Sequence, residues 1–197
     1  MVVTVRDGRI VRMQDYPDRA AASAGAGLPP DPSADGSEAA DELSVFPPLH
    51  WAASSDDVEA LDALLDAGAD IEADGAVIGG GTAIADAVAF GQWNAARRLL
   101  ERGARTTLWQ AAALGLRDPV RQELAETSPG REDLDNALWC AAHGGQRETA
   151  ELLLARGADP TWVGHDDLTA AEAAERSGAH EVAAWLRERA HADADAP

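Results

Sequence analysis

The feature that most constrains this chain is a short frame that recurs along it. Its fullest copy runs from 136 to 160, NALWCAAHGG followed by QRETAELLLARGADP. The first part reads as a short helix closed by Gly144-Gly145, the second as an amphipathic helix stopped at Gly157, where glycine takes a left-handed conformation at no steric cost. Leu138, Ala141 and Ala142 give the first helix an apolar side, and Ala150, Leu152, Leu153 and Leu154 give the second another. Two helices this short cannot bury those faces alone, so similar neighbours must stack on them.

Such neighbours are present. Pro48-Leu49-His50-Trp51-Ala52-Ala53 is followed by a helix over Val58–Asp66 and the stop Gly68-Ala69-Asp70. Thr82–Gly91 leads to a helix over Gln92–Glu101 and the stop Gly103-Ala104; Thr106–Gly115 leads to Pro119–Glu126, and Thr169–Gly178 to His180–Arg189. In the third copy Asp118-Pro119 predicts an N-cap followed by proline at the first helical position.

On these residues the chain resembles the ankyrin repeat, whose signature is roughly T-P-L-H-x-A-A-x-x-G-H and then x-x-V-x-x-L-L-x-x-G-A-D. Pro48-Leu49-His50 with Gly68-Ala69-Asp70, and Ala141-Ala142 with Gly157-Ala158-Asp159, carry the likeness most closely; Thr106–Gly115 is looser and Thr169–Glu172 looser still. The resemblance spans residues 44 to 190. It implies an all-α helical solenoid of five repeats over 46–191, preceded by a β-hairpin (1–16) and a flexible acidic linker (17–45), and followed by a disordered tail (192–197). It also implies that the first helix of each repeat lines a concave side, the second covers a convex side, and β-turn fingers project between repeats.

The lengths of those fingers differ. Gly68 to Thr82 is long and contains Val77-Ile78-Gly79-Gly80-Gly81, and Gly157 to Thr169 has the family length. Between Gly103 and Thr106 almost nothing is left, and Ser128-Pro129-Gly130 predicts only a short loop before Asn136. The middle of the solenoid therefore lacks fingers. That is either a gap beside the third repeat that admits a partner element, or a shortening that the fold tolerates.

Charge bounds the partners. The 197 residues carry a formal charge of -19, and all 16 basic residues are Arg. Four Arg and eight acids precede Pro47, which leaves -15 on the repeats. Such a field repels nucleic acid and anionic membrane and favours a basic protein partner. Without lysine there is no Schiff base and no P-loop. The lone Cys140 allows no internal disulfide, and the chain shows neither a signal-peptide pattern nor an apolar run long enough to span a bilayer, so a cytoplasmic protein is expected. Heavy use of Ala, Arg and Asp without Lys points to a GC-rich, bacterial genome.

Residues 2–16, VVTVRDGRIVRMQDY, differ from the repeats. Val3 and Val5 alternate with polar neighbours, Asp7-Gly8 signals a tight turn, and Ile10–Met13 reads as a second strand. Val5, Gly8, Arg9, Ile10, Val11, Arg12, Asp15 and Tyr16 resemble the closing hairpin of a SnoaL-like cone of the nuclear-transport-factor-two-like superfold. That likeness implies, as an alternative, that the chain is the C-terminal part of a fused enzyme whose catalytic cone lies mostly upstream of Met1. A surface hairpin packed on the first repeat is the other reading.

No residues assemble into a catalytic or metal site. The acids at Asp56, Asp57, Glu59, Asp62 and Asp66 read as a solvated helix face and not as a dyad with divided pKa values. His180-Glu181 begins like a zinc-protease helix but lacks the second His. Cys140 sits at a core position with no base, and Gly79-Gly80-Gly81 has no lysine and no following helix of P-loop type. No cofactor is expected. The binding residues that the resemblance implies precede each turn glycine or lie in the fingers: Phe90, Leu114, His143 and Arg176 from the repeats, Val77, Ile78, Trp162 and His165 from the fingers. Trp109 and Trp139 hold the usual position of the repeat histidine and are expected to stack as core. Trp51 is expected to face inward, and Trp93 and Trp185 to be half-buried.

Overall fold

The computed structural model describes the backbone of residues 2–6 and 9–14, and residues 48–75 and 81–194. The chain divides into two units, 1–44 and 45–197. In the first, β1 (Val2–Arg6) pairs antiparallel with β2 (Arg9–Gln14), from Val2 opposite Gln14 to Arg6 opposite Arg9, with an irregularity at Thr4/Val5. The Asp7-Gly8 turn lies outside the described residues.

The second unit is an ankyrin-type helical solenoid. Its helices come in pairs: α1 (Pro48–Ser54) and α2 (Val58–Asp66), α3 (Ala83–Ala89) and α4 (Trp93–Glu101), α5 (Leu108–Ala113) and α6 (Arg117–Glu126), α7 (Arg131–His143) and α8 (Arg147–Leu154), α9 (Ala170–Arg176) and α10 (His180–Ala194). The first helices of successive pairs pack on one another, α1 on α3, α5 on α7 and α7 on α9, with a shorter contact between α3 and α5. Small residues make this possible: Ala52, Ala53, Ala87, Ala112, Ala141 and Ala142 are fully buried between helices.

The turn glycines Gly91, Gly115, Gly145 and Gly178 have φ between 68° and 80°, and the stop glycines Gly68, Gly103 and Gly157 between 91° and 98°. In the first repeat Asp56 stands where the others have the turn glycine, at φ 57°. Its carboxylate offsets the strain by accepting from the Ala95 N–H and the Asn94 amide at 2.8 Å, which ties repeat 1 to the start of α4.

Five local expectations are corrected. Helix α6 begins at Arg117 with Leu116 as its N-cap, so Pro119 is the third helical residue and not the first; first-turn N–H groups have no intrahelical acceptor, and proline loses nothing there. The short loop before Asn136 ends at Gly130, because residues 131–136 are helical and make α7 thirteen residues long. The Asp133 carboxylate accepts from the Gly130 N–H at 3.1 Å and Leu134 and Asp135 are buried, which gives this extra turn a cap and a buried side. Helix α10 runs on to Ala194, past residue 191, on a sequence rich in alanine. Trp185 is buried, with the Arg147 and Arg189 guanidinium groups 5.0 and 5.7 Å from its ring centre, whereas Trp51 is 42% exposed and does not face inward.

Candidate functional site

His143 is the last residue of α7, and its ring stacks on Trp139 one helical turn earlier, with centroids 5.5 Å apart and planes 28° from parallel. Its other neighbour is Trp93 at the start of α4, two repeats away, at 5.3 Å. The close approach that allows this reach is set by Gly144: a Cβ there would lie 2.0 Å from the Ala113 carbonyl oxygen, so α5 and α7 touch backbone to backbone. Nδ1 of His143 hydrogen-bonds the Ser177 hydroxyl at 2.8 Å. Nε2 is buried against Gly91 and has no partner in hydrogen-bonding geometry. Burial holds the imidazole below its ordinary pKa and the Arg176 charge adds to this, while the Val88 carbonyl acts the other way.

The finger from 158 to 169 folds over the outer end of the same tryptophan. Val163 bridges to Thr169, and the Gly164 N–H donates to the Leu168 carbonyl at 2.9 Å. The Leu168 carbonyl also accepts from Trp139 Nε1 at 2.9 Å, and His165 meets the Trp139 ring edge-on at 4.9 Å while its Nε2 bonds Asn136 Oδ1 at 3.0 Å. Gly164 is required here, since a Cβ would fall 2.3 Å from Trp162 and 2.9 Å from Trp139. Asp166 and Asp167, at φ 55° and 58°, turn the tip, and Asp166 pairs with Arg176 at 2.8 Å. Asp159 anchors the base: its carboxylate accepts from both the N–H and the hydroxyl of Thr161, which with nearby Arg131 holds its pKa below the ordinary value.

Of the residues singled out from the sequence, His143 and His165 pack on the Trp139 ring, Trp162 packs against the same core cluster, and Arg176 joins the finger tip through Asp166. Phe90 lies beside Gly91 at the His143 end and is 39% exposed; Leu114 is half-buried on the core. Val77 and Ile78 lie outside the described residues. The centre of the group, Trp139, is 5% exposed and counts as core, as its frame position suggested. Trp93 and Asp166 were not singled out as contacts, whereas Ser177, next to the turn glycine Gly178, holds a position that the resemblance turns toward a partner; the two-repeat reach of His143 depends on the Ala113–Gly144 contact, and no local pattern announces it. Ala113, which the frame would turn toward a partner, is fully buried by that contact.

Nothing in the group suggests bond chemistry. His143 and His165 both pack on Trp139, and among the described residues no three of His, Cys, Asp and Glu come close enough to hold a metal ion. Burial pushes the Cys140 thiol up to about 12, so it is not a thiolate at neutral pH. No described helix is long and apolar enough to cross a membrane. A separate open cleft of about 370 Å³ lies beside Trp109, between the end of α6 and the start of α7.

The family model of the ankyrin repeat matches residues 46–76 and 133–164, which are the first and fourth repeats, each with part of its finger. The crystal structure of the human ASB11 ankyrin repeat domain is similar at 24% identity, covering 72% of this chain and 68% of that chain, with a TM-score of 0.41. No curated protein matches the sequence.

Proposed function

This chain is an ankyrin-repeat protein, and from that premise we propose that it is a non-enzymatic module that binds a basic protein on its concave face and fingers. Ankyrin repeats are a protein–protein interaction scaffold, so the open questions are the face and the chemistry of the partner. The observation that carries our reading is the run Trp93–His143–Trp139–His165, which holds a rigid surface from repeat 2 to the last finger. Phe90 stands exposed beside it, Leu114 is half-buried on the neighbouring repeat, and Val163 is 55% exposed on the finger. Trp162, Arg176, Val77 and Ile78 complete the anchors in this reading. Apolar anchors on a rigid base inside a polar rim suit protein recognition. The -15 carried by the repeats draws the complementary charge and raises the association rate at low salt.

Capture from native lysate on the immobilised full chain, with and without Phe90→Ser, tests the face. Phe90 is already partly buried, so its loss should weaken the partner by about five- to tenfold with little change in melting temperature. Equal capture by both chains would remove Phe90 from the interface, and a large melting drop would make it a core residue.

A further inference from the structure

The same frame position, six residues before the turn residue, carries a ring in three repeats: His50 in α1, Trp109 in α5 and Trp139 in α7. Two of these rings are covered by the finger that follows them. His50 Nε2 bonds the Ala73 carbonyl at 3.1 Å, and Trp139 Nε1 donates to the Leu168 carbonyl at 2.9 Å. After Trp109 there is no finger: the connection passes from Thr127 to Gly130 directly into the lengthened α7. In the place of a finger is the open cleft of about 370 Å³, bordered by Trp109, Glu123, Ser128, Pro129, Asp133 and Asn136. Trp109 is half-buried and packs against both clusters of the core, so it is held in place while keeping a free surface. Glu123 is exposed and forms no ion pair among the described residues, and Asp133 is committed only to the Gly130 N–H.

We propose that this cleft binds an extended, arginine-bearing segment of a partner protein, which takes the place of the missing finger. In repeat 4 the finger gives its tryptophan a backbone carbonyl for the indole N–H and, in His165, a planar ring whose edge packs on the indole. An extended peptide supplies the first. A guanidinium supplies the second, because it is planar, stacks on aromatic rings and pairs with carboxylates. The Glu123 and Asp133 carboxylates and the charge of -19 select a cation over a neutral ring. The inference rests on the module having a basic partner, but on a surface separate from Phe90.

The probe is an acetylated, amidated tetra-arginine peptide titrated into the ¹⁵N-labelled full chain, read at the assigned tryptophan indole signals. The expected result is a saturable shift at Trp109 with little change at Trp139, about fivefold weaker binding in Glu123→Gln, and an unchanged response in Phe90→Ser. A tetra-citrulline peptide of the same length, which keeps the shape and removes the charge, should leave Trp109 unmoved. The cleft is overturned if Trp109 does not shift, or if Glu123→Gln and citrulline behave as the wild type and arginine do. If binding is instead lost in Phe90→Ser and spares Trp109, the basic segment lies on the concave row: the cleft falls and the module reading stands. If the peptide finds neither surface, the cleft falls and a basic partner loses its support as well.

Discussion

Repeats 3 and 4 place the same residue, tryptophan, at the same point of the same frame, and it has a different fate in each. Trp139 is 5% exposed, with its indole N–H satisfied by Leu168 and its ring packed by His143 and His165. Trp109 is half-buried and borders an open cleft. The difference lies in the connection that follows. After α8 the chain makes a finger that folds back over the repeat, and after α6 it goes straight into a helix with an extra turn. A frame position therefore decides which way a side chain points, while the following connection decides whether it becomes core or surface.

The sharpest way to break this comparison is to remove each ring in turn. Trp139→Ala deletes a buried aromatic and one of the two donors to the Leu168 carbonyl, and should cost roughly 3–5 kcal/mol in urea unfolding. Trp109→Ala removes a side chain that already faces water in part, and should cost roughly 1–2 kcal/mol. Equal losses would mean that Trp109 is as much core as its counterpart. In that case the cleft would be a packing irregularity and not a surface.

The next test moves to the connections. A Cβ at Gly164 would lie 2.3 Å from Trp162 and 2.9 Å from Trp139, both rigid rings in the covered site. Gly164→Ala should therefore destabilise by roughly 1–3 kcal/mol, as overpacking does. A Cβ at Gly130 meets only the Asp133 carboxylate, at 3.3 Å, and the side chain can yield. Gly130→Ala should stay within about 0.5 kcal/mol of the wild type by thermal or urea melting. A large cost at Gly130 would show that the open connection is as tightly fitted as the finger.

Much of this was legible in the sequence, and the limit has a physical cause. The repeat frame depends on local spacing, so Val58–Asp66 was readable to the residue, as was the left-handed stop at Gly157. Finger loss after repeats 2 and 3 was legible as missing length. Its replacement by helix was not, because residues 131–136 are polar or charged apart from Leu134, and the burial of Leu134 and Asp135 comes only from the neighbouring repeats. For the same reason His143 could be named as a surface residue, but not its span to Trp93. That span rests on how closely α5 and α7 approach, and Gly144 reads in sequence as half of a turn.

The third comparison is between His143 and Ala113, which hold the same frame position in repeats 4 and 3. The folded pKa of His143 lies below the ordinary 6.5, mainly through burial and then through Arg176. The unfolded chain therefore takes up the proton first, and stability falls as pH drops below about 6.5. The carboxylates of Asp159, Glu172 and Glu175, all held below their ordinary values by hydrogen bonds, lose their contribution only at lower pH, below 3.8 for Asp159 and below 4.5 for the two Glu. The melting temperature should thus fall between pH 7.5 and 5.5 in the wild type, and less so in His143→Gln. An unchanged slope in His143→Gln would place the titrating group elsewhere and leave the two repeats alike in their response to acid.

The smallest expected effect sharpens the comparison most cleanly, because it separates folding from binding at the open site. Glu123 lies in α6 with its side chain exposed and without an ion pair among the described residues, while its backbone carbonyl accepts from Thr127 N–H at 2.9 Å and from the Thr127 hydroxyl at 2.8 Å. Replacing the carboxylate by an amide of equal size changes one surface charge, so Glu123→Gln should melt within about 0.5 kcal/mol of the wild type. At the covered site the same exchange, Glu172→Gln, touches a carboxylate that accepts from the Thr169 N–H at 2.8 Å and hydroxyl at 2.7 Å, and a loss of about 0.5–1 kcal/mol is expected. A chain in which Glu123→Gln costs as much as Glu172→Gln would have its open connection held by that carboxylate. The charge beside Trp109 would then serve the fold and would not be available to a partner.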